Sequence, residues 1–298
     1  MEIAFNSYSL RKEWGALTEG KGYEPVAHFI KMMEGVKEIE LLDRSFNSDP
    51  MELQKAMSTF TEHDLNIFSL GPHPHPLTGK SKRPAALDEL KKWTNICADH
   101  DIHNFRLSLG GGRGYDKKYL IVPIKPSSVD EAVEWTAEVL EPALVYAEEK
   151  GVNLCIETHH KYSSDPIYQE KLLDRLPFEN LGFIYDFGNY ENDELRWTSL
   201  DLLLKRKKIK YMHAKMYGFD EQGFEPKLDY PKAIKKMHDA GLDVKLSIEW
   251  EGSLPGPVGV LRSYELLRYS LAQVKGQSYH MKTDFPSADE IIAQVRAR

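Results

Sequence analysis

Four short apolar runs each end in a residue type that binds divalent metals. They are Val152-Asn153-Leu154-Cys155-Ile156-Glu157, Leu181-Gly182-Phe183-Ile184-Tyr185-Asp186, Ile209-Lys210-Tyr211-Met212-His213 and Val244-Lys245-Leu246-Ser247-Ile248-Glu249. Taken singly, each carboxylate could cap the helix that follows or pair with an Arg. Four such residues after apolar runs of similar length argue for a common purpose instead. Three carboxylates and one imidazole suit Mn²⁺, Mg²⁺, Co²⁺ or Zn²⁺, and the oxygen-rich set favours the harder ions, Mn²⁺ first. Thiolate ligation is excluded in practice, because Cys97 and Cys155 are the only cysteines and are not paired in sequence.

Residues so far apart in sequence meet only if the elements carrying them converge. Strand-like and helix-like segments alternate about eight times along the chain, the pattern of βα units. The expected strands are residues 2–5, 38–42, 66–70, 104–109, 153–156, 182–185, 210–212 and 244–248. Segments with helical spacing lie at 26–33, 50–63, 85–100, 129–150, 166–176, 193–207, 230–240 and 258–274. Buried parallel strands closed into a barrel bring their C-terminal ends to one mouth, so the ligand candidates fall on strands 5 to 8. Ser128 and Glu131 have the spacing of a capping box, Gly151 and Gly241 suit helix ends, and Pro231 suits a first helical turn. The loops after the strands at 71–84, 110–127, 158–165 and 217–229 are longer than those after the helices, as an active-site mouth requires. The expectation is a single (β/α)8 TIM barrel domain over residues 1–298, with the barrel to about 275 and an extra C-terminal helix at about 286–298. That helix would pack outside the barrel or against another copy in a homo-oligomer.

Composition narrows the class. With 298 residues, 41% hydrophobic and 29% charged, the chain can bury a large core. A formal charge of −7 argues against a nucleic-acid surface, which needs a basic stripe. No run approaches the ~18 apolar residues of a membrane span, and Met1-Glu2-Ile3-Ala4-Phe5-Asn6 does not resemble a signal peptide, so the expected location is cytoplasmic. Cys155, inside an apolar strand, is expected as a buried free thiol.

Ile156-Glu157-Thr158-His159, Asp186-Phe187-Gly188-Asn189, Met212-His213-Ala214-Lys215 and Ser247-Ile248-Glu249-Trp250-Glu251-Gly252 resemble the sugar phosphate isomerase/epimerase group of xylose-isomerase-like TIM barrels. Residues 5–11 and Ile39-Glu40-Leu41 add to the likeness, which spans nearly the whole chain. The resemblance implies one divalent ion on Glu157, Asp186, His213 and Glu249. It also implies a substrate that is a sugar or sugar acid, with Glu157 and Glu249 on opposite sides exchanging protons through an enediolate. Two positions depart from the ketose 3-epimerases of that group: Asn189 stands where they carry His, and Phe219 where they carry Arg. Both changes remove contacts to substrate oxygens, so they set the chain apart from that subgroup and leave the metal ligands intact.

Further mouth residues follow from position. His159, two residues past Glu157, falls on its side of the strand and is an acid/base candidate, whereas His160 faces away. Lys215 is placed in the same way relative to His213, to balance an anionic group or to bridge to a ligand carboxylate. His73 and His75, in a proline-stiffened loop, and Tyr8, Asn189 and Trp250 complete the expected substrate contacts, with packing or exposed-loop roles as the plainer alternatives. Arg106 is expected to pair with Glu40. Gly110-Gly111-Gly112-Arg113-Gly114 lacks the ending of a phosphate loop and is expected to be a turn or lid. The leading expectation is a metal-dependent sugar isomerase or epimerase. The alternatives are a lyase of the same fold (decarboxylase of a 3-oxo sugar acid, dehydratase, or cleavage of a 3-oxo glycoside) and a sugar-binding subunit with a structural metal.

Overall fold

A computed structural model describes residues 1–72, 74–109, 126–159 and 161–298. Eight parallel strands form a closed barrel in sequence order: β1 (Glu2–Asn6), β2 (Glu38–Leu42), β3 (Asn66–Gly71), β4 (Asn104–Leu107), β5 (Asn153–Glu157), β6 (Leu181–Asp186), β7 (Ile209–Met216) and β8 (Lys245–Trp250). The strands are short and mostly buried, as expected when both faces of a parallel sheet are covered. Among the described residues, ten α-helices accompany them: α1 (Trp14–Thr18), α2 (Glu24–Ile30), α3 (Pro50–Glu62), α4 (Arg83–Asp99), α5 (Val129–Glu149), α6 (Pro166–Arg175), α7 (Asp193–Lys205), α8 (Tyr230–Asp239), α9 (Gly256–Val274) and α10 (Ala288–Arg296). The chain divides into two compact units, Met1–Phe68 with Tyr211–Arg298, and Ser69–Lys210.

In the first unit, register decides which side chains become neighbours. Asn6 of β1 pairs with Glu40 of β2, while His213 and Lys215 of β7 stand level with Ser247 and Glu249 of β8. In the second unit, Arg106 of β4 pairs with Cys155 of β5, and Glu157 with Ile184 of β6.

Local sequence sets the helix starts. Asp49 and Asp165 cap α3 and α6 ahead of Pro50 and Pro166, and Asp229 caps α8 with Pro231 in its first turn. Each aspartate accepts a backbone N–H left over at the helix start, and each proline sits where it has no N–H to lose. Gly151 and Gly241 end α5 and α8 at φ of +70° and +72°, a backbone region open to glycine.

Two expectations are corrected, and of the two placements expected for the C-terminal helix one is observed. The Ser128 side chain does cap α5, accepting from the Glu131 N–H, but Glu131 reaches back to Ser127 rather than closing a box on Ser128. The complete box is at α10, between Ser287 and Glu290. Strands β7 and β8 run past the expected ends at 212 and 248, because His213, Lys215 and Glu249 are buried with polar partners and need not leave the strand to reach water. The C-terminal helix α10 docks on its own chain: Ile291 and Val295 are buried, and Arg296 donates to the Ala16, Leu17 and Glu19 carbonyls at the end of α1.

Trp250 shows how tightly the first unit is packed. Its ring stacks on Phe219 at 5.3 Å and its Nε1 donates to the Leu254 carbonyl at 2.9 Å. A methyl group at Gly259, in α9, would collide with the indole. Gly259→Ala is therefore expected to destabilise the protein by about 1–3 kcal/mol through overpacking, outweighing the ~1 kcal/mol that Ala gains over Gly in a helix. Urea unfolding measures this, and a raised midpoint would refute the packing argument.

Candidate metal centre

Glu157 and Asp186 close strands β5 and β6, and both are buried. The Arg106 guanidinium donates to Glu157 Oε2, correcting the expected pairing with Glu40. His159 brings Nδ1 to 4.0 Å from the same oxygen and remains a quarter exposed, while its backbone N–H donates to Ser163 Oγ at 3.0 Å. Asp186 is held on both oxygens: Oδ1 accepts from the Gly188 N–H at 2.8 Å and Oδ2 from Asn189 Nδ2 at 2.7 Å. Asn189, expected as a substrate contact, thus also orients a ligand candidate. The Asp186 N–H donates to Thr158 Oγ1 at 2.9 Å, tying the ends of β5 and β6 together.

His213 and Glu249 are buried on β7 and β8. His213 lies between two carboxylates, with Nε2 at 2.9 and 3.0 Å from the oxygens of Glu40 and Nδ1 at 2.8 Å from Glu249 Oε2. Glu40 is the anchor. It is fully buried and also accepts from Asn6 Nδ2 at 3.0 Å, Tyr211 Oη at 2.7 Å and Ser247 Oγ at 2.8 Å. A carboxylate that holds the Nε2–H of a histidine presents the Nδ1 lone pair on the other side, the usual support for a metal-bound imidazole. That lone pair then faces a glutamate oxygen 2.8 Å away, two acceptors that either a bound metal ion or a proton would bridge. Lys215 is buried, with Nζ at 3.6 Å from both Glu249 and Glu251.

Ligand atoms of Glu157, Asp186, His213 and Glu249 all lie within 4.8 Å of one another. Glu40, Arg106 and Lys215 are buried as well. The donor set fits a metal ion. The four residues form a buried carboxylate–histidine cluster able to bind a metal.

Tyr8 is half-buried, with the Arg11 and Arg44 guanidinium carbons 4.6 and 5.7 Å from its ring centre. Burial, then the Glu251 charge, raises its hydroxyl pKa above the ordinary tyrosine value despite both arginines. The phenol therefore stays a hydrogen-bond donor at neutral pH. Trp250 is packed rather than presented: Phe219 covers its ring, and it is 1% exposed. His75 is exposed, its Nδ1 3.2 Å from the Ser108 carbonyl. His73, His160 and the Gly110–Gly114 stretch lie outside the described residues. Sequence reasoning missed the role of Glu40, although a carboxylate in the middle of the apolar run Ile39–Leu42 was the available signal.

A closed eight-strand parallel barrel with a buried carboxylate–histidine cluster is a TIM barrel with a candidate metal site. The xylose isomerase-like TIM barrel model matches residues 29–269, and the chain belongs to that family. It is structurally similar to mannonate dehydratase from Streptococcus suis (TM-score 0.70, 16% identity, 96% of this chain and 99% of that one). It is also similar to 3-keto-D-glucoside 4-epimerase from E. coli (TM-score 0.67, 14% identity, 93% and 99%). In sequence it is 35% identical over 60 residues to the C-glycoside deglycosidase alpha subunit of Arthrobacter globiformis, a match spanning 20% of this chain and 17% of that protein. Among the described residues, no helix is long and apolar enough to cross a membrane.

Glu40→Gln weakens the hold on His213 and is expected to lower divalent-metal affinity about 10–100-fold. Isothermal titration of the metal-free protein with Mn²⁺ measures it, and an unchanged affinity would mean that Glu40 does not support the site.

Proposed function

We propose that the protein is a divalent-metal-dependent enzyme acting on the carbonyl of a sugar or sugar acid, most directly as an isomerase or epimerase working through an enediolate. The observation that carries this reading is the pair of buried glutamates, Glu157 and Glu249, within one cluster with Asp186 and His213. These four would hold the ion. When bound, it would supply Lewis-acid polarisation of the substrate carbonyl and lower the cost of negative charge on that oxygen.

The remaining steps fall to the chain's own residues. One glutamate removes the proton from the carbon next to the carbonyl, and the electron pair moves to the carbonyl oxygen as the enediolate forms. The other glutamate, carrying a proton, delivers it to the opposite face, which inverts that carbon; delivery to the neighbouring carbon, with the adjacent hydroxyl proton passing to the former carbonyl oxygen, transposes the carbonyl instead. Lys215, close to Glu249, and His159, close to Glu157, offer positive charge or a proton to the developing oxyanion. Tyr8, kept protonated, is a further donor for a sugar hydroxyl. Small-molecule sugars or sugar acids are the substrates this chemistry asks for, and Mn²⁺ is the ion proposed first, with Mg²⁺, Co²⁺ and Zn²⁺ as alternatives that the oxygen-rich donor set also accepts.

A specific observation supports a second reading, a lyase. Phe219 stacks on Trp250 where ketose 3-epimerases of the resembled group carry an arginine, so this chain holds its sugar differently. Two proteins it is similar to are named for a 3-keto-glucoside and a C-glycoside. Abstraction of the proton beside a 3-oxo group could equally expel a substituent one carbon further on, giving an eliminated glycoside rather than an epimer.

Metal-dependent incorporation of deuterium from heavy water into ketoses, sugar acids or 3-oxo glycosides is the expected result. Glu157→Gln and Glu249→Gln should each lower it about 10²–10⁴-fold. Mass conservation identifies an isomerase, whereas release of an aglycone or carbon dioxide identifies the lyase. No exchange across the panel with the metal bound would overturn both readings.

A further inference from the structure

A second group of ligand-type residues lies wholly within the first unit. Glu24 opens α2, His28 follows one helical turn later, and His63 caps the end of α3. Their ligand atoms all lie within 4.8 Å of one another. His63 Nε2 is 2.5 Å from Glu24 Oε2, His28 Nε2 is 4.0 Å from the same oxygen, and the imidazoles meet edge to face with centres 5.0 Å apart. The side chains are 19%, 23% and 45% exposed for His28, His63 and Glu24, which leaves an approach from solvent.

The tautomer of His28 is the telling point. Its Nδ1 lies 3.1 Å from the carbonyl oxygen of Val295 in α10. A carbonyl only accepts, so Nδ1 carries the hydrogen, and in the neutral ring the lone pair is on Nε2. That lone pair faces the Glu24 carboxylate 4.0 Å away, a separation beyond a hydrogen bond that leaves room for a bridging ion. An imidazole whose Nδ1–H is held by a backbone carbonyl while Nε2 points at a carboxylate and a second imidazole is the arrangement that supports zinc ligation. Zinc–nitrogen and zinc–oxygen bonds of about 2.0–2.1 Å at tetrahedral angles place ligand atoms about 3.3 Å apart. The observed separations of 2.5 and 4.0 Å bracket that value, so small side-chain shifts suffice.

We propose that Glu24, His28 and His63 form a second metal site, for Zn²⁺ or a similar borderline divalent ion, with a water completing the coordination. Two imidazoles and one carboxylate are a softer donor set than the barrel cluster, so the two sites divide by metal preference. The ion links α2 to α3 and, through the hydrogen bond of His28, secures the C-terminal helix. The site is independent of the proposed enzymatic activity.

The probe is Zn²⁺ alone, added to metal-stripped protein and counted by native mass spectrometry and calorimetry. In an Asp186→Asn background, which disables the barrel cluster, one equivalent is expected to remain, and adding His63→Gln or His28→Gln abolishes it. Equal zinc stoichiometry and affinity with and without the histidine substitutions overturns the site. Should a double variant fail to fold, ¹⁵N NMR of histidine side chains in wild-type protein saturated with Mg²⁺ carries the same test. The Nε2 signals of His28 and His63 shift on adding Zn²⁺ if the site exists, and unmoved signals refute it.

Discussion

Mutual repulsion among buried carboxylates is the constraint on which the rest of the site depends. Glu157, Asp186 and Glu249 hold oxygens within 4.8 Å of one another and of His213, and Glu40 adds a fourth buried negative charge. Gathering such charges away from water is costly unless each is paired or hydrogen-bonded. The surrounding residues do this locally: Arg106 on Glu157, the Gly188 N–H and Asn189 on Asp186, Lys215 near Glu249, and several donors on Glu40. This pattern leaves a demand for positive charge at the centre of the ligand atoms, which suits the cluster to a metal ion.

The supporting residues differ in kind from the ligand candidates. Glu40 lies within β2 and gathers side chains from β1, β7 and β8, so it joins strands while orienting His213. Arg106 stands on β4 and reaches the last residue of β5. Because the imidazole ring is gripped on Nε2, only Nδ1 is left to face the cluster, and the ligand geometry is preorganised before any ion arrives. The same logic recurs at His28, where a backbone carbonyl on α10 holds one ring nitrogen.

Much of the fold was legible in the sequence because its signals are local. Ser128 and Pro231 mark helix starts, Gly151 and Gly241 mark helix ends, and the short apolar runs mark buried strands. Where the reading failed, a non-local partner had changed the meaning of a residue. Strand ends were placed at the last apolar residue before each ligand candidate, which falls one residue short for β5 and β6, two short for β8 and four short for β7. His213 and Lys215 stay in the strand because Glu40 and Glu249 meet them there. The capping box failed similarly: the spacing of Ser128 and Glu131 was right, but the glutamate found the Ser127 N–H first.

The residue types by themselves determined the alternation of strands and helices and the four ligand candidates, since apolar periodicity, turn chemistry and donor identity are properties of short segments. Only the tertiary structure decided which charges oppose one another. Arg106 chose Glu157 over Glu40, Phe219 and Trp250 chose each other, and Glu24, His28 and His63 came together from two helices. Strand register and helix docking set those pairings through contacts between segments distant in the chain, and no local pattern encodes them.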